Sequence, residues 1–365
     1  MPGIACGIIG LPNVGKSTLF NALTRADAKT ENYPFCTIDP NVGVVEVPDE
    51  RLNRINEVEK RPSAIPAIIE FVDIAGLVEG ASKGEGRGNQ FLENIHHADL
   101  VVHVVRAFDD PNVAHIRTDL DPLDDIRIIN LELILADLET AERALERHQR
   151  KARGRDKDAE RAVAVLEPIV EQLNNERPVR GLDLDPSVLA TLDCRFLTAK
   201  PMIYVANVGE EDLPAMENAH VAAIRGLAEA DGTVCLPVCA RIEAELAELD
   251  EDEEQEFLDD LGLEEDSLAR VIRLCYRHLG LLSFFTVGDK EVRAWTTRTG
   301  ATAPEAGAVI HDDFRELFIR VEVIAFNDFA ERGSRHAVRE HGLMRIEGKE
   351  YIVQDGDILF FRIGR

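Results

Sequence analysis

The sequence lacks the features that mark disulfide-stabilised, secreted or membrane-spanning proteins. Its 365 residues include six cysteines, none in a C-x-x-C pair, so neither a disulfide framework nor a zinc site is indicated. No apolar run approaches the roughly 18 residues that a membrane helix requires. The N-terminal segment has no charged region followed by a cleavage site. We therefore expect a protein of the reducing cytoplasm that does not associate with membranes.

Positive charge is also scarce. The 41 Lys and Arg residues are outnumbered by 68 Asp and Glu residues, which gives a formal net charge of −27 at pH 7. Proteins that bind nucleic acid over a broad surface are normally basic, because neutralisation of phosphates drives that binding. The charge balance therefore excludes generic nucleic-acid binding and permits only local RNA contacts. The length is sufficient for two or three globular units.

A phosphate-binding loop lies near the N-terminus. Residues 10–17 read GLPNVGKS, which fits G-x-x-x-x-G-K-[ST] and stands between a strand-like apolar run and a helical segment. Such a loop binds phosphate through backbone N–H groups at a helix N-terminus, through a lysine, and through Mg²⁺ held by a hydroxyl. The predicted phosphate-binding residues are Asn13, Val14, Gly15, Lys16, Ser17 and Thr18. Lys16 is also a candidate catalytic residue, and Ser17 is a candidate metal ligand.

A second motif, D-I-A-G at 73–76, follows an apolar strand. An aspartate at the carboxyl end of a strand can hold Mg²⁺, and the Gly76 N–H can contact the γ-phosphate. With the phosphate-binding loop it predicts a switch, because the γ-phosphate orders the glycine-rich segment 79–88 and releases it on hydrolysis. Thr37 is the candidate for a further metal ligand beside Asp73, and an ordinary turn threonine is the alternative.

The remaining pattern predicts the domain organisation. Apolar residues at helical spacing predict an antiparallel helical hairpin within residues 123–199, and strand-like runs resume after it. The predicted domains are a nucleotide-binding domain at 1–122 and 200–280, a helical insertion at 123–199, and a small α+β domain at 281–365. The hairpin tip is locally basic, with eight Lys or Arg against five acidic residues between 141 and 161. It is either a solvated surface or an RNA contact.

These features together resemble the YchF (Obg-like ATPase) family of P-loop proteins, which is related to the translation-factor GTPases. Segments 32–45 and 73–88, the helical insertion and the C-terminal domain carry the resemblance, which covers essentially the whole chain. It implies an α/β G-domain with a mostly parallel sheet, split by the hairpin and followed by a TGS domain of β-grasp fold. It also implies association with the ribosome, through the large subunit or the whole particle, and an RNA contact through the hairpin tip and the TGS domain.

The base-reading segment bears on the choice between ATP and GTP. Guanine-specific relatives carry N-K-x-D, whose aspartate accepts from two guanine N–H groups, whereas this chain has Asn207, Val208 and Glu210 in the pattern N-x-x-E. The guanine contact is lost, and the pattern resembles that of ATP-preferring members. Ala240 belongs to the last predicted base-contacting loop. We therefore expect ATP as the substrate and Mg²⁺ as the cofactor.

The group that activates water is less evident. Leu77 occupies the position where many relatives have a glutamine, and a leucine cannot polarise water. The resemblance points instead to His115, for which a solvent-facing loop histidine is the alternative. In some relatives an asparagine at the position of Asn13 binds K⁺, which leaves K⁺ dependence open. Three functions thus remain: an ATPase, which the base-reading segment favours, a guanine-specific GTPase, and a ribosome- or RNA-binding module with a structural nucleotide site.

Overall fold

The computed structural model describes residues 4–25, 41–74, 87–110, 120–182 and 184–364. Contacts divide these residues into two units. Residues 4–43 and 70–268 form the first unit, and residues 44–69 and 269–364 form the second. Within the described ranges, no helix is both long and apolar enough to cross a bilayer.

The elements alternate between strands and helices over most of the chain. The strands are β1 (Ala5–Ile9), β2 (Val42–Glu46), β3 (Ser63–Ile65), β4 (Ile68–Asp73), β5 (Leu100–Arg106), β6 (Met202–Asn207), β7 (Cys235–Val238), β8 (Leu281–Val287), β9 (Glu291–Arg298), β10 (Phe318–Ala325), β11 (Arg345–Glu347) and β12 (Asp357–Ile363). The helices are α1 (Lys16–Arg25), α2 (Glu50–Glu59), α3 (Arg87–His97), α4 (Pro122–Ala152), α5 (Lys157–Asn174), α6 (Pro186–Ala190), α7 (Ala219–Ala230), α8 (Ala240–Leu246), α9 (Glu251–Leu261), α10 (Ser267–His278), α11 (Ala303–Ile310), α12 (Asp312–Glu316), α13 (Phe326–Arg332) and α14 (Arg335–Glu340).

A six-stranded sheet in the order β2-β4-β1-β5-β6-β7 contains the nucleotide-binding motifs. From β4 to β7 neighbouring strands are parallel. Every residue of β5 and of β6 is buried, as expected for parallel strands covered on both faces. The carboxyl ends of these strands meet at one edge of the sheet, where open α/β sheets bind their ligands. The predicted α/β fold with a mostly parallel sheet is confirmed.

The helical hairpin predicted from the apolar spacing is also present. Helix α4 has 31 residues and α5 has 18, and they pack together through an apolar core that includes Ala141, Leu166 and Ile169. Asp156 ends the turn between them, because its side chain accepts hydrogen bonds from the first free N–H groups of α5. The hairpin is therefore a packed element with its own core rather than an extended loop.

A buried carboxylate attaches the end of this insertion to α4. Asp137 is 1% exposed and accepts hydrogen bonds from the Leu197 N–H at 2.8 Å, the Thr198 N–H at 2.8 Å and the Thr198 hydroxyl at 2.6 Å. The Thr198 hydroxyl oxygen in turn accepts from the Val179 N–H at 3.0 Å. Burial raises the pKa of Asp137 to about 6, although these hydrogen bonds favour its charged form. One side chain thus fixes the segment that leads into β6.

The second unit is built on a mixed sheet in the order β11-β10-β12-β8-β9-β3. Strands β8 and β12 are parallel neighbours, while β10 with β12 and β8 with β9 form antiparallel pairs. Its core includes Phe284, Val321 and Leu359. The small α+β unit predicted after residue 281 is therefore present. Its assignment as a TGS domain stays a prediction.

Residues 44–69 belong to this second unit. Strand β3 pairs with β9 in parallel, and the Arg51 guanidinium bonds the Asp355 carboxylate at 2.7 Å and lies 5.5 Å from the centre of the Phe285 ring. Chain order predicts residues 44–69 to be part of the nucleotide-binding domain, because they lie between its two motifs. Chain order cannot reveal an edge strand contributed to another sheet, and the remaining domain boundaries stay predictions.

We expect Asp137→Ala to destabilise the protein by about 2–4 kcal/mol, because three buried donors lose their acceptor. Amide hydrogen exchange at Leu197 and Thr198 should accelerate together with a lower urea midpoint. Glu139→Ala is the control, since this exposed partner of Arg143 on the same helix should change stability by less than about 0.5 kcal/mol. Unchanged protection of the two amides in Asp137→Ala would contradict the proposed anchoring.

Candidate nucleotide-binding site

The loop after β1 has the backbone conformation of a phosphate-binding loop. Asn13 and Gly15 both have positive φ, 64° and 93°, and α1 begins at Lys16. This alternation turns successive N–H groups toward one concavity, where the N-terminus of α1 favours an anion. Glycine is required at position 15, because a Cβ there would lie 2.1 Å from the Asn207 amide nitrogen. The end of β6 thus lies so close to the loop that only glycine fits at position 15.

Lys16, Ser17 and Asp73 meet beside this loop. The Lys16 ammonium, on a residue only 8% exposed, forms an ion pair with the Asp73 carboxylate. The Ser17 hydroxyl donates to the same carboxylate at 3.2 Å. Asp73 reaches this position because β4 runs parallel to β1, with Asp73 paired to Ile8. The structure therefore brings together the predicted lysine, hydroxyl and carboxylate.

The donor set fits Mg²⁺. A hydroxyl and a carboxylate oxygen within 3.2 Å of one another are hard ligands of the kind that Mg²⁺ prefers, and phosphate and water complete its coordination in such sites. Among the described residues, there is no group of three or more His, Cys, Asp or Glu side chains that would hold a metal ion in the absence of a nucleotide. Ser17 and Asp73 would thus bind the ion together with a nucleotide.

Asn207 joins the phosphate-binding loop to the base-binding loop. Its amide nitrogen donates to the Val14 carbonyl at 2.9 Å, and its amide oxygen accepts from the Ala240 N–H at 3.0 Å. The residue is 5% exposed, so both bonds are shielded from water. The Asn207 side chain is therefore bonded to the backbone of two separate segments, and its predicted contact with the base stays a prediction.

The next residues form the turn that was predicted to read the base. Val208 is buried, and its N–H donates to the Val238 carbonyl at 2.9 Å. Glu210 is partly exposed and forms an ion pair with Arg241 at 2.7 Å. Arg241 directly follows Ala240, so the pair connects the two predicted base-binding segments. Sequence reasoning missed Arg241, since nothing in the order of residues indicates that it faces Glu210.

Not every predicted residue can be placed. Asn13 to Thr18, Asp73, Asn207, Val208, Glu210 and Ala240 lie at or beside the carboxyl edge of the parallel strands. Thr37, Gly76, Leu77 and His115 lie outside the described residues. The assignments of these four residues stay predictions.

A buried acid lies on the helix that follows the base-binding loop. Glu243 of α8 is 1% exposed, and it accepts from the Ser267 N–H at 3.2 Å. Burial is the largest of the causes that raise the pKa of Glu243 to about 9; the hydrogen bond and negative charge of Asp266 act in the same direction, while the bonds from Ser267 oppose the shift. The protonated form of Glu243 is therefore favoured near neutral pH.

The strand order, the loop with its lysine, and the carboxylate at the end of β4 define the class of protein as a P-loop NTPase of the G-domain type. Residues 5–135 match the family described as "50S ribosome-binding GTPase", and residues 281–364 match YchF-GTPase_C, described as "Protein of unknown function (DUF933)".

Relatives that match nearly the whole chain show which family within this class the protein belongs to. The chain is 52% identical over 361 residues to "Ribosome-binding ATPase YchF" of Pasteurella multocida, with 99% of each protein covered. It is 48% identical to the protein of the same name from Bacillus subtilis, with 98% of this chain and 99% of that protein covered. The solved structure of the Schizosaccharomyces pombe YchF GTPase superposes with a TM-score of 0.89 at 36% identity and covers 99% of both chains. The chain belongs to the YchF family.

Glu243→Gln should make stability less dependent on pH. Because the pKa of Glu243 is raised in the folded state, its stabilising contribution is complete below the unfolded pKa of about 4.5 and declines as pH rises toward about 9. A glutamine keeps the acceptor and donates to Asp266 without titrating. We expect the variant to gain at least about 1 kcal/mol over the wild type between pH 5.5 and 8.5 in urea unfolding. Glu256→Gln, an exposed change on α9, is the control, and parallel pH profiles for wild type and Glu243→Gln would refute the assignment.

Proposed function

We propose that this protein binds and hydrolyses ATP in preference to GTP, with Mg²⁺, and that it acts on the ribosome. The observation that carries the proposal is the meeting of Lys16, Ser17 and Asp73 beside a base-binding turn that has Val208 and Glu210 where guanine-specific proteins have lysine and aspartate. The relatives named ribosome-binding ATPases support both parts of the proposal.

The phosphate site works by charge compensation. Lys16 and Asp73 neutralise one another within the folded chain, and an arriving phosphate chain provides a new partner for the lysine. The released carboxylate and the Ser17 hydroxyl are then available to Mg²⁺, which supplies positive charge to the β- and γ-phosphates when bound. Lys16 contacts the phosphate oxygens and stabilises the charge that develops on them during transfer.

Base choice follows from hydrogen-bonding patterns. A free aspartate accepts from two donors and therefore matches guanine, whereas adenine offers one amine donor and one ring-nitrogen acceptor. In this chain one Glu210 oxygen bonds Arg241, which reduces the acceptors that the turn offers. Val208 cannot donate to a base and provides an apolar surface in place of the lysine stem. These features favour adenine.

Several parts of this proposal rest on residues outside the described ranges. We assign Gly76 to the γ-phosphate, Thr37 to Mg²⁺ and His115 to the attacking water, following the family resemblance. Asn13, at positive φ in the loop, is the residue through which K⁺ would act. The proposal does not depend on K⁺.

A guanine-specific GTPase is the second candidate. The yeast structure and the family matched at residues 5–135 are described as GTPases, whereas the relatives at about 50% identity are named ATPases and support the first candidate. The two candidates share the phosphate site and differ only at the base, so a titration that compares the two bases decides between them.

For the ribosomal part we propose local contacts at the hairpin tip and in the C-terminal unit. Residues 141–161 hold eight basic and five acidic side chains. Several of these arginines form ion pairs with acids of the same hairpin, as Arg143 does with Glu139 and Arg150 with Glu146. The basic residues of the turn itself, Arg153 and Arg155, are therefore the better candidates for phosphate contacts.

Calorimetric titration with non-hydrolysable ATP and GTP analogues tests the base assignment. We expect the wild type to bind the ATP analogue more tightly, by about tenfold or more, because a mismatched base leaves polar groups unpaired. Val208→Lys combined with Glu210→Asp should shift the preference toward the GTP analogue. Tighter binding of the GTP analogue by the wild type would refute the ATP assignment and favour the second candidate.

Hydrolysis should depend on Lys16 and His115 in different ways. Lys16→Ala should abolish turnover, since among the described residues the site holds no second basic side chain that contacts Asp73. His115→Ala should lower kcat more than it raises KM, by roughly 10²-fold or more if the histidine positions water. Leu77→Ala should retain most of the activity and is the matched control. Equal kcat values for the His115 and Leu77 variants would remove His115 from the mechanism.

A further inference from the structure

Asn218 connects the end of β5 with the 3₁₀ turn Glu210–Asp212 of the candidate nucleotide-binding site, and it lies eight residues beyond Glu210. It is the N-cap of α7, where its amide oxygen accepts from the Val221 N–H at 2.9 Å. Its amide nitrogen donates twice, to the Ala107 carbonyl at 2.8 Å and to the Asp212 carboxylate at 2.7 Å. The side chain therefore uses both donors and its acceptor at once.

Its partners belong to the two segments that border the base-binding turn. Ala107 follows β5, is fully buried, and donates its N–H to the Asn207 carbonyl at 2.8 Å. Asp212 closes the turn that begins at Glu210, since its N–H donates to the Gly209 carbonyl at 3.3 Å. Asn218 thus links Asp212, at the end of the turn, to Ala107 at the end of β5. Ala107 also bonds Asn207, which lies just before the turn.

On that side the turn also has a backbone attachment, because the Asp212 carbonyl accepts from the Met216 N–H at 2.6 Å. Its near end is fixed by the Asn207 amide and by the Val208 N–H, both bonded to neighbouring backbone. Glu210 and Asp212 lie on a single 3₁₀ turn, and the contact of Glu210 with Arg241 involves two exposed side chains. Exposed ion pairs contribute little rigidity. The charge-assisted bond from Asn218 to Asp212 is therefore a stronger side-chain constraint on the turn than the Arg241 contact, and it links the turn to Ala107 at the end of β5.

We propose that Asn218 is a specificity-determining positioning residue, which holds the Glu210 turn in the position that selects adenine through its hydrogen bond to Asp212. The inference rests on the proposed function, in which Glu210 contributes to base choice. The donors and the acceptor of the Asn218 side chain are all used within the protein, so we assign it no direct contact with a nucleotide. It acts by fixing the distance between the turn and the phosphate-binding loop, to which Asn207 is already bonded.

Asn218→Asp tests the proposal with little change in shape. An aspartate remains a good N-cap for α7 but has no amide donor, and it places a second negative charge beside Asp212. We expect the ratio of the GTP-analogue Kd to the ATP-analogue Kd to fall at least about fivefold. Binding of inorganic tripolyphosphate, which has no base, should be unchanged. Weakened tripolyphosphate binding together with an unchanged Kd ratio would show a purely structural role and overturn the proposal.

Exchanging the two residues provides the rescue. In Asp212→Asn combined with Asn218→Asp, the amide at 212 donates to the carboxylate at 218, so the link is restored in the opposite direction. The Kd ratio should then return to within about twofold of the wild type. A ratio that stays low in this double variant would refute the role of the 212–218 bond. Asn175→Asp is the matched control, because its amide also donates to a carbonyl, that of Glu171, at an exposed end of the hairpin.

Two further variants keep the test decisive. If Asn218→Asp does not fold, Asp212→Ala removes the same bond from the other side and should lower the Kd ratio in the same way. Glu210→Ala separates this inference from the proposed function. If the Kd ratio is unchanged in Glu210→Ala, base reading by this turn is refuted. If the ratio changes in Glu210→Ala but not in Asn218→Asp, only the role of Asn218 is refuted.

Discussion

The contact between Gly15 and Asn207 is the constraint on which the candidate site depends. The phosphate-binding loop and the end of β6 approach so closely that no side chain fits at position 15, and the Asn207 amide bonds the loop on one side and the Ala240 N–H on the other. The phosphate-binding loop and the predicted base-binding loop are consequently linked by one buried amide. In the function that we propose, this amide sets the distance between the groups that bind the phosphates and those that bind the base.

Charge neutralisation is the second organising principle of the site. Burying an ammonium group without a partner is costly, and Asp73 provides that partner at Lys16. The same carboxylate is the candidate metal ligand, so the groups that would bind ligand protect one another within the fold. The buried Glu243 avoids an unpaired charge by another route, since burial and the nearby Asp266 favour its protonated form. Within the described residues, the buried lysine of the site is thus neutralised by a partner of the fold, although the chain as a whole is strongly acidic.

Much of this arrangement could be predicted from the sequence because local rules determine it. The positive φ of Gly15, the strand-loop-helix order and the helical spacing of α4 and α5 all follow from short-range patterns. The roles of Asn218 and Arg241 could not be predicted, because their partners are set by the packing of strand ends and not by sequence separation. An asparagine before a helix predicts an N-cap, as α7 shows, but does not indicate what its amide nitrogen will bond. The membership of 44–69 in the second unit was missed for the same reason.

That membership has a consequence for how the protein can be divided. Helix α2 buries Leu52 and Ile55 within the second unit, and β3 is an edge strand of its sheet. Cutting the chain near residue 280 would leave these residues joined to the nucleotide-binding part without the sheet on which they pack, and would expose apolar surface. The second unit thus contains residues from between the two nucleotide motifs as well as residues that follow them in the chain. Such a shortened protein could lose activity for two separate reasons. One is the absence of the C-terminal residues, and the other is disruption of residues 44–69, which join Ser17 to Asp73 along the chain.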